Sequence, residues 1–315
     1  MAAQIRIFFF LCLTAFCVTP WASPPIALAL GLMLALTLGS PFPEMSRNVS
    51  KFLLQGCVVL LGFGMNLGVV LKAGAGGAAL AAGSILLTFA LGYWLKGRLK
   101  INATTSALIS AGTAICGGSA IAAVGSVIGA EEGAMTVAMG TVFVLNAVAL
   151  FVFPPLGHAL GLTQTQFGTW AGIAIHDISS VVGAASHYGL TALQTATAVK
   201  LSRALWIVPI SLAAAFLFRR TAGPGQAAGK LQIPWFIGFF LLASVARTLL
   251  PGIAVLAPAL SHLATVGLTL TLFLIGTGLT RAMLKAVGWQ PLAQGVILWL
   301  AISGGSLWVI LRTVP

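Results

Sequence analysis

Lys200 and Arg203 lie three positions apart in Ala198-Val199-Lys200-Leu201-Ser202-Arg203, inside a run apolar enough to lie in a bilayer. That spacing puts both cations on one helix face. An ionised side chain at the centre of a membrane helix costs at least about 2.5 kcal/mol, so each such residue is a functional candidate by default. The run before it carries Ala174-Ile175-His176-Asp177-Ile178-Ser179-Ser180, where Asp177 is the sole carboxylate in a membrane-embedded position. Asn146, one run earlier, adds a neutral donor and acceptor. One acid cannot neutralise two cations, and the surplus is about one positive charge that an anion would balance. The plainer role for Asp177 is a structural ion pair with Arg203 or Lys200, locking two helices. His176 is either a proton carrier or a neutral hydrogen-bonded side chain. With Asp177, Ser179, Ser180 and Asn146 it forms a candidate coupling or gating cluster.

These side chains need a polar place within the membrane, and one stretch offers it. Ser110 to Ala123 reads Ser-Ala-Gly-Thr-Ala-Ile-Cys-Gly-Gly-Ser-Ala-Ile-Ala-Ala, in the middle of an apolar segment from Asn102 to Ala130. Two adjacent glycines weaken a helix by roughly 1 kcal/mol each relative to alanine and free backbone groups that lipid cannot satisfy. The spacing therefore predicts a break at Cys116-Gly117-Gly118-Ser119, with a half-helix N-terminus aimed at an anion. The simpler use of the glycines is a close helix crossing.

Composition sets the class. The chain has 315 residues, 59% hydrophobic and 6% charged, with a mean hydropathy of +1.07. A soluble domain cannot hide that much apolar surface, so the expectation is a polytopic all-α membrane protein. The net charge of +12 sits mostly at segment ends, as the positive-inside rule requires, and does not call for nucleic acid. Cys12, Cys17, Cys57 and Cys116 lie in apolar runs without metal-ligand spacing, so neither a disulfide framework nor a metal or other cofactor is expected. With no paired carboxylates, no His-Cys cluster and no Gly-x-Ser-x-Gly around Ser119, an enzyme is not expected either.

Hydropathy predicts about eleven transmembrane helices, at 6–22, 25–40, 52–72, 77–95, 102–129, 134–157, 166–186, 190–218, 233–250, 260–281 and 289–311. The first resembles a signal peptide but continues into the next after a poor cleavage site, Ala22-Ser23-Pro24, and is kept as a helix. With a cytoplasmic N-terminus and an external C-terminus, Arg6, Arg47, Lys51, Lys96, Arg98, Lys100, Arg219, Arg220, Lys230, Arg281 and Lys285 lie inside. Lys72, Arg247 and Arg312 lie outside, a ratio of eleven to three. Glu131 and Glu132 fall outside in this scheme, and the linker Arg219 to Lys230 is a cytoplasmic loop.

Setting 1–24 apart as an extra helix, the rest divides into repeats at 25–158 and 159–315, each with five spans and therefore inverted relative to each other. The fourth span of the second repeat contains Leu274-Ile275-Gly276-Thr277-Gly278-Leu279-Thr280, which makes Gly276, Thr277 and Gly278 the expected second break. Leu61 to Lys72 also resembles Leu272 to Lys285. A competing similarity links Ala111-Gly112-Thr113-Ala114-Ile115 with Ala171-Gly172-Ile173-Ala174-Ile175, sixty positions later. In this topology those two would run parallel, which an inverted repeat forbids, so the match is assigned to small-residue coincidence.

Gly112 to Ala123, Trp170-Ala171-Gly172 leading to His176-Asp177-Ile178-Ser179-Ser180-Val181-Val182, and Val199 to Arg203 followed by Pro209 together resemble the YeiH-type membrane proteins, a family labelled as sulfate exporters. The likeness covers essentially the whole chain; the family usually has Thr where Ile178 stands. It implies a multi-pass protein of the bacterial inner membrane near the cation/proton antiporters and bile-acid symporters, with two crossed broken helices and a sulfur oxyanion as substrate. The residues themselves support an anion. The expected function is a secondary transporter of a small anionic solute working by alternating access, with a coupling proton or sodium ion, membrane lipid as surroundings and a homodimer as one open assembly. Cys116, Gly117, Gly118, Ser119, Lys200, Arg203, Gly276, Thr277 and Gly278 would bind substrate. The alternatives are a cation/proton antiporter using Asp177 and a membrane sensor without flux.

Overall fold

The computed structural model describes residues 2–219, 235–279 and 281–314, which form helices and connections with no strand among them. In chain order the helices are α1 (Ala2–Cys17), α2 (Pro24–Thr37), α3 (Pro43–Phe63), α4 (Leu67–Leu99), α5 (Ala103–Ala114), α6 (Gly118–Val127), α7 (Glu132–Ala159), α8 (Gln164–Ala174), α9 (Ile178–Tyr188), α10 (Leu190–Ala204), α11 (Ile207–Arg219), α12 (Trp235–Leu249), α13 (Pro251–Gly278), α14 (Arg281–Ala286) and α15 (Trp289–Thr313). Five helical stretches are long and apolar enough to cross a membrane, or six if Pro43–Phe63 and Leu67–Ala75, bent by 113°, count as one. The linker residues 220–234, with Gly223-Pro224-Gly225 and Lys230, and Thr280 of the second glycine motif lie outside the described residues.

The fold around the chemistry is best measured along α7, whose 28 residues span about 42 Å. Its first half carries α5 and α6. A Cβ placed on Gly125 of α6 would lie 3.2 Å from Met135 and 3.4 Å from Leu108 of α5, and one on Gly112 would lie 2.8 Å from Ile121 and 3.1 Å from Val142. Residues 108 and 125 could not meet if the chain ran on straight, so α6 folds back antiparallel along α5. Its second half carries α8 and α9. There Gly183 packs on Leu150, while the Tyr188 ring stacks on Phe167 at 3.8 Å and its hydroxyl donates to the Leu162 carbonyl at 2.7 Å. The end of α9 has thus returned to the start of α8.

Two helical hairpins therefore enter from opposite ends of α7, and their tips meet near Val142 and Asn146. A Cβ on Gly117 would be 3.4 Å from both Val142 Cγ1 and Asp177 Cβ. The inward arms hold 12 and 11 residues, or about 17 Å each, roughly half of a 30 Å hydrocarbon core. α15 runs beside both: Gln294 Nε2 donates to Ser106 Oγ at 2.8 Å, Trp170 Nε1 to the Ser303 carbonyl at 2.9 Å, and Gln166 Nε2 to the Val314 carbonyl at 2.9 Å.

Four expectations change. The segments 102–129 and 166–186 are hairpins rather than spans, because each apolar run is split by a turn that reverses its direction. Glu131 lies at the base of the first hairpin and so at the same end as Arg98, not opposite it. α13 continues through Gly276 and Thr277 to Gly278 without a break; its glycine faces α2, where a Cβ on Gly276 would approach the Leu28 carbonyl to 2.6 Å and the Leu32 nitrogen to 2.9 Å. That is the close crossing that small residues allow. The second break is instead at Ile175-His176-Asp177, so the similarity between Ala111–Ile115 and Ala171–Ile175, assigned to coincidence, marks the two hairpin tips.

Candidate functional site

α5 ends at Ala114 and α6 begins at Gly118, with the expected break in between. Gly117 adopts φ 68°, ψ −129°, a region open essentially to glycine alone. Its N–H donates to the Gly112 carbonyl at 2.9 Å and that of Ile115 to Ala111 at 3.1 Å, but the carbonyls of Thr113, Ala114 and Ile115 are left at the end of the arm. Such C-terminal carbonyls carry the negative end of the helix dipole and need donors. α8 ends in the same way, leaving Ile173 and Ile175.

α10 supplies the donors. Lys200 and Arg203 are both 0% exposed, and each one reaches both hairpins. Lys200 Nζ donates to the Ile175 carbonyl at 2.6 Å and to that of Ile115 at 3.2 Å. Arg203 Nε donates to Ala114 at 2.6 Å, Nη1 to Ile173 at 2.6 Å and Nη2 to Thr113 at 3.4 Å. α10 can come this close because α8 faces it with glycines: a Cβ on Gly172 would lie 3.0 Å from the Ala196 carbonyl and from Val199, and one on Gly168 2.7 Å from the Ala192 carbonyl.

Asp177 does not form the ion pair anticipated with these cations. It is the N-cap of α9, in extended backbone, where Oδ1 accepts from the Ser180 N–H at 2.6 Å and from Ser179 Oγ at 2.9 Å. Oδ2 accepts from Asn146 Nδ2 at 2.7 Å and from Ser180 Oγ at 3.1 Å. Asn146 completes the link by accepting from the His176 N–H at 3.0 Å. The cations are drawn to the carbonyl ends of two helices, and the carboxylate to the N–H end of a third, as the dipoles dictate. Four neutral donors satisfy the acid.

Cys116, Gly117, Lys200, Arg203, Asn146, His176, Asp177, Ser179 and Ser180 thus gather at one level of α7, with Gly118 and exposed Ser119 opening α6 beside them. Gly276 and Thr277 belong to the α2–α13 crossing, where Thr277 Oγ1 donates to its own helix at Leu274, 2.7 Å away, and Gly278 ends α13 with open space where a Cβ would stand. Thr113 was not among the sequence candidates. It is 1% exposed, and its hydroxyl has no partner among the described residues; nor have Nδ1 and Nε2 of His176, also 1% exposed. The repeat between Ala111–Ile115 and Ala171–Ile175 was the signal that could have found it.

A family model described as Conserved hypothetical protein 698 matches residues 4–295. The chain belongs to the UPF0324 membrane protein family. It is 52% identical over 289 residues to a UPF0324 membrane protein of Bacteroides thetaiotaomicron, covering 91% of this chain and 86% of the relative. A UPF0324 membrane protein of Porphyromonas gingivalis is 52% identical over 297 residues, with coverage of 93% and 88%, and one of Bdellovibrio bacteriovorus 47% identical over 295 residues, with coverage of 94% and 91%. The YeiH-type resemblance fits this UPF0324 membership. No solved structure matches.

Proposed function

We propose that this UPF0324 membrane protein is a secondary transporter of a small anion, sulfate or a related sulfur oxyanion, in which two opposed hairpins and the α10 cations form the transport site. The observation that carries this reading is the charge balance where the tips meet. Lys200 and Arg203 bring two positive charges and Asp177 one negative. The C-termini of α5 and α8 and the N-termini of α6 and α9 contribute about half a charge each, two of either sign, and cancel. About one positive charge remains, buried and with an uncapped helix N-terminus, Gly117-Gly118, beside it.

The hairpins reach halfway from opposite ends of α7, so a solute at the tips is separated from each side by one hairpin, the arrangement alternating access needs. We read the chain as nine crossings and two hairpins, α10 and α11 counting as one crossing. In that reading Arg6, Arg47, Lys51, Arg98, Arg219, Arg281 and Lys285 lie at the Glu132 end, and Lys72, Arg247 and Arg312 at the other. The positive-inside rule makes the Glu132 end cytoplasmic. A cation antiporter centred on Asp177 fits less well, since an incoming cation would meet the N–H and O–H groups that already hold the carboxylate. Purified protein in liposomes, loaded with labelled sulfate, sulfite or taurine, should give flux above protein-free vesicles for at least one of them. Flux of none would defeat the reading.

A further inference from the structure

Four buried groups where the tips meet either bind backbone carbonyls or have no partner among the described residues. Lys200 and Arg203 each bridge the two hairpins, holding Ile115 with Ile175, and Ala114 and Thr113 with Ile173. Thr113 Oγ1 belongs to one of the residues so held, and the unpartnered His176 ring follows Ile175 directly. Buried polar atoms without protein partners are rare in folded proteins, and where they persist they hold a water or an ion, serve chemistry or store strain. Backbone carbonyls are also weak competitors for a guanidinium or ammonium, because a charged oxyanion accepts shorter and stronger hydrogen bonds from the same donors.

We propose that a tetrahedral oxyanion binds between the two hairpin tips to Lys200, Arg203, the Thr113 hydroxyl and His176, and that in taking the cations from the carbonyls it unties one hairpin from the other. This rests on the anion reading above and deepens it. The cations are then the latch of the closed state as well as the ligands of the open one. The bound anion replaces the carbonyls as their partner, so loading and separation of the hairpins become one event. Chloride, with a single charge and no fork of oxygens, would release the latch less well than sulfate.

Amide hydrogen exchange on the full-length protein in nanodiscs tests this, reading segments 110–120 and 172–181 separately in sodium sulfate and in sodium chloride of equal ionic strength. Sulfate should raise exchange in both segments together by about tenfold or more, since each cation holds both hairpins with charge-assisted bonds. Lys200→Gln should raise both without any sulfate and abolish the response to it. Thr113→Val should keep its thermal stability, because the lost hydroxyl has no partner, yet need roughly threefold to tenfold more sulfate for half the effect. That variant keeps the test decisive if Lys200→Gln does not fold. Exchange that ignores sulfate, a response confined to one segment, or a Thr113→Val protein as sensitive as the native one would overturn the proposal. Sulfate flux in liposomes without any exchange response would remove this site and leave the transporter reading intact; an exchange response without flux of any anion would do the reverse.

Discussion

The two hairpins do the same job with opposite chemistry. The first, α5–α6, turns on Gly117 at positive φ and leaves the N-terminus of α6 without a side-chain cap. Its arms are lined by small residues, with Gly112 against Ile121 and Gly125 against Leu108. The second, α8–α9, has no glycine at its turn; Asp177 caps the returning helix and is itself held by Asn146, Ser179 and Ser180. Its base is fastened by the capping box of Thr163 and Gln166, by Gln164 accepting from the Thr191 N–H at 3.0 Å, and by a chain of rings from His158 through Tyr188 and Phe167 to Trp170. One tip carries an open donor end and the other a closed one. The difference is one of local support: the first turn rests on a backbone conformation open to glycine, the second on side-chain hydrogen bonds to a capping acid.

The all-or-none way to break this comparison is topological. Single cysteines at positions 98 and 131 should react with the same impermeant reagent from the same side of the membrane, and His158→Cys and His187→Cys from the other. Labelling of 98 and 131 from opposite sides would make the first hairpin a span and end the pairing. The next effect is energetic: Arg203→Met leaves the Ala114, Ile173 and Thr113 carbonyls buried without a donor and should lower unfolding stability by about 3–5 kcal/mol. A loss below about 1 kcal/mol in a thermal or denaturant melt would mean that water already serves those carbonyls.

Asymmetry between the tips is sharpened by a paired measurement. Asp177→Ala removes a cap and strands three side-chain donors, so about 2–3 kcal/mol should go, whereas Gly117→Ala imposes a strained backbone worth about 1–3 kcal/mol. The two differ in rescue: Asp177→Asn should recover part of the loss through the cap, but no other residue type should restore position 117. A Gly117→Ala protein as stable as the native one would show that the first turn does not need its glycine. Smallest is Tyr188→Phe, which removes the bond to Leu162 at the base of the second hairpin and keeps the ring stack; it should cost about 1 kcal/mol, read from the same melts.

Much of this was legible residue by residue. Lys200, Arg203 and Asp177 were recognisable because charge within an apolar run is expensive wherever it points, and the break after Ala114 because Gly117-Gly118 weakens any helix. The second break was not, since Ile175-His176-Asp177 contains no glycine and looks like a polar patch on a continuous helix. Its turn depends on the serines that follow Asp177 locally and on Asn146, which only the fold brings to it. Gly276 misled for the complementary reason. A glycine that permits close approach and one that permits a turn are the same residue type, and only the presence of α2 against α13 tells them apart.

Composition and local pattern determined what needs no direction: a helical membrane protein, one interrupted helix, a pair of cations and an acid that must be buried, and basic residues biased to one side. The tertiary structure alone decided where the chain goes after each break. Hydropathy is a scalar that counts apolar residues along a segment and is the same for a span and for a hairpin of equal length. Charge bias could not correct it, because reversing α7 moves only the loops at Glu131-Glu132 and at His158, and neither contains a lysine or arginine. The charge bias among the described residues is the same with or without the hairpins, so the direction of α7, and with it the meeting of the two tips on Lys200 and Arg203, is set by packing.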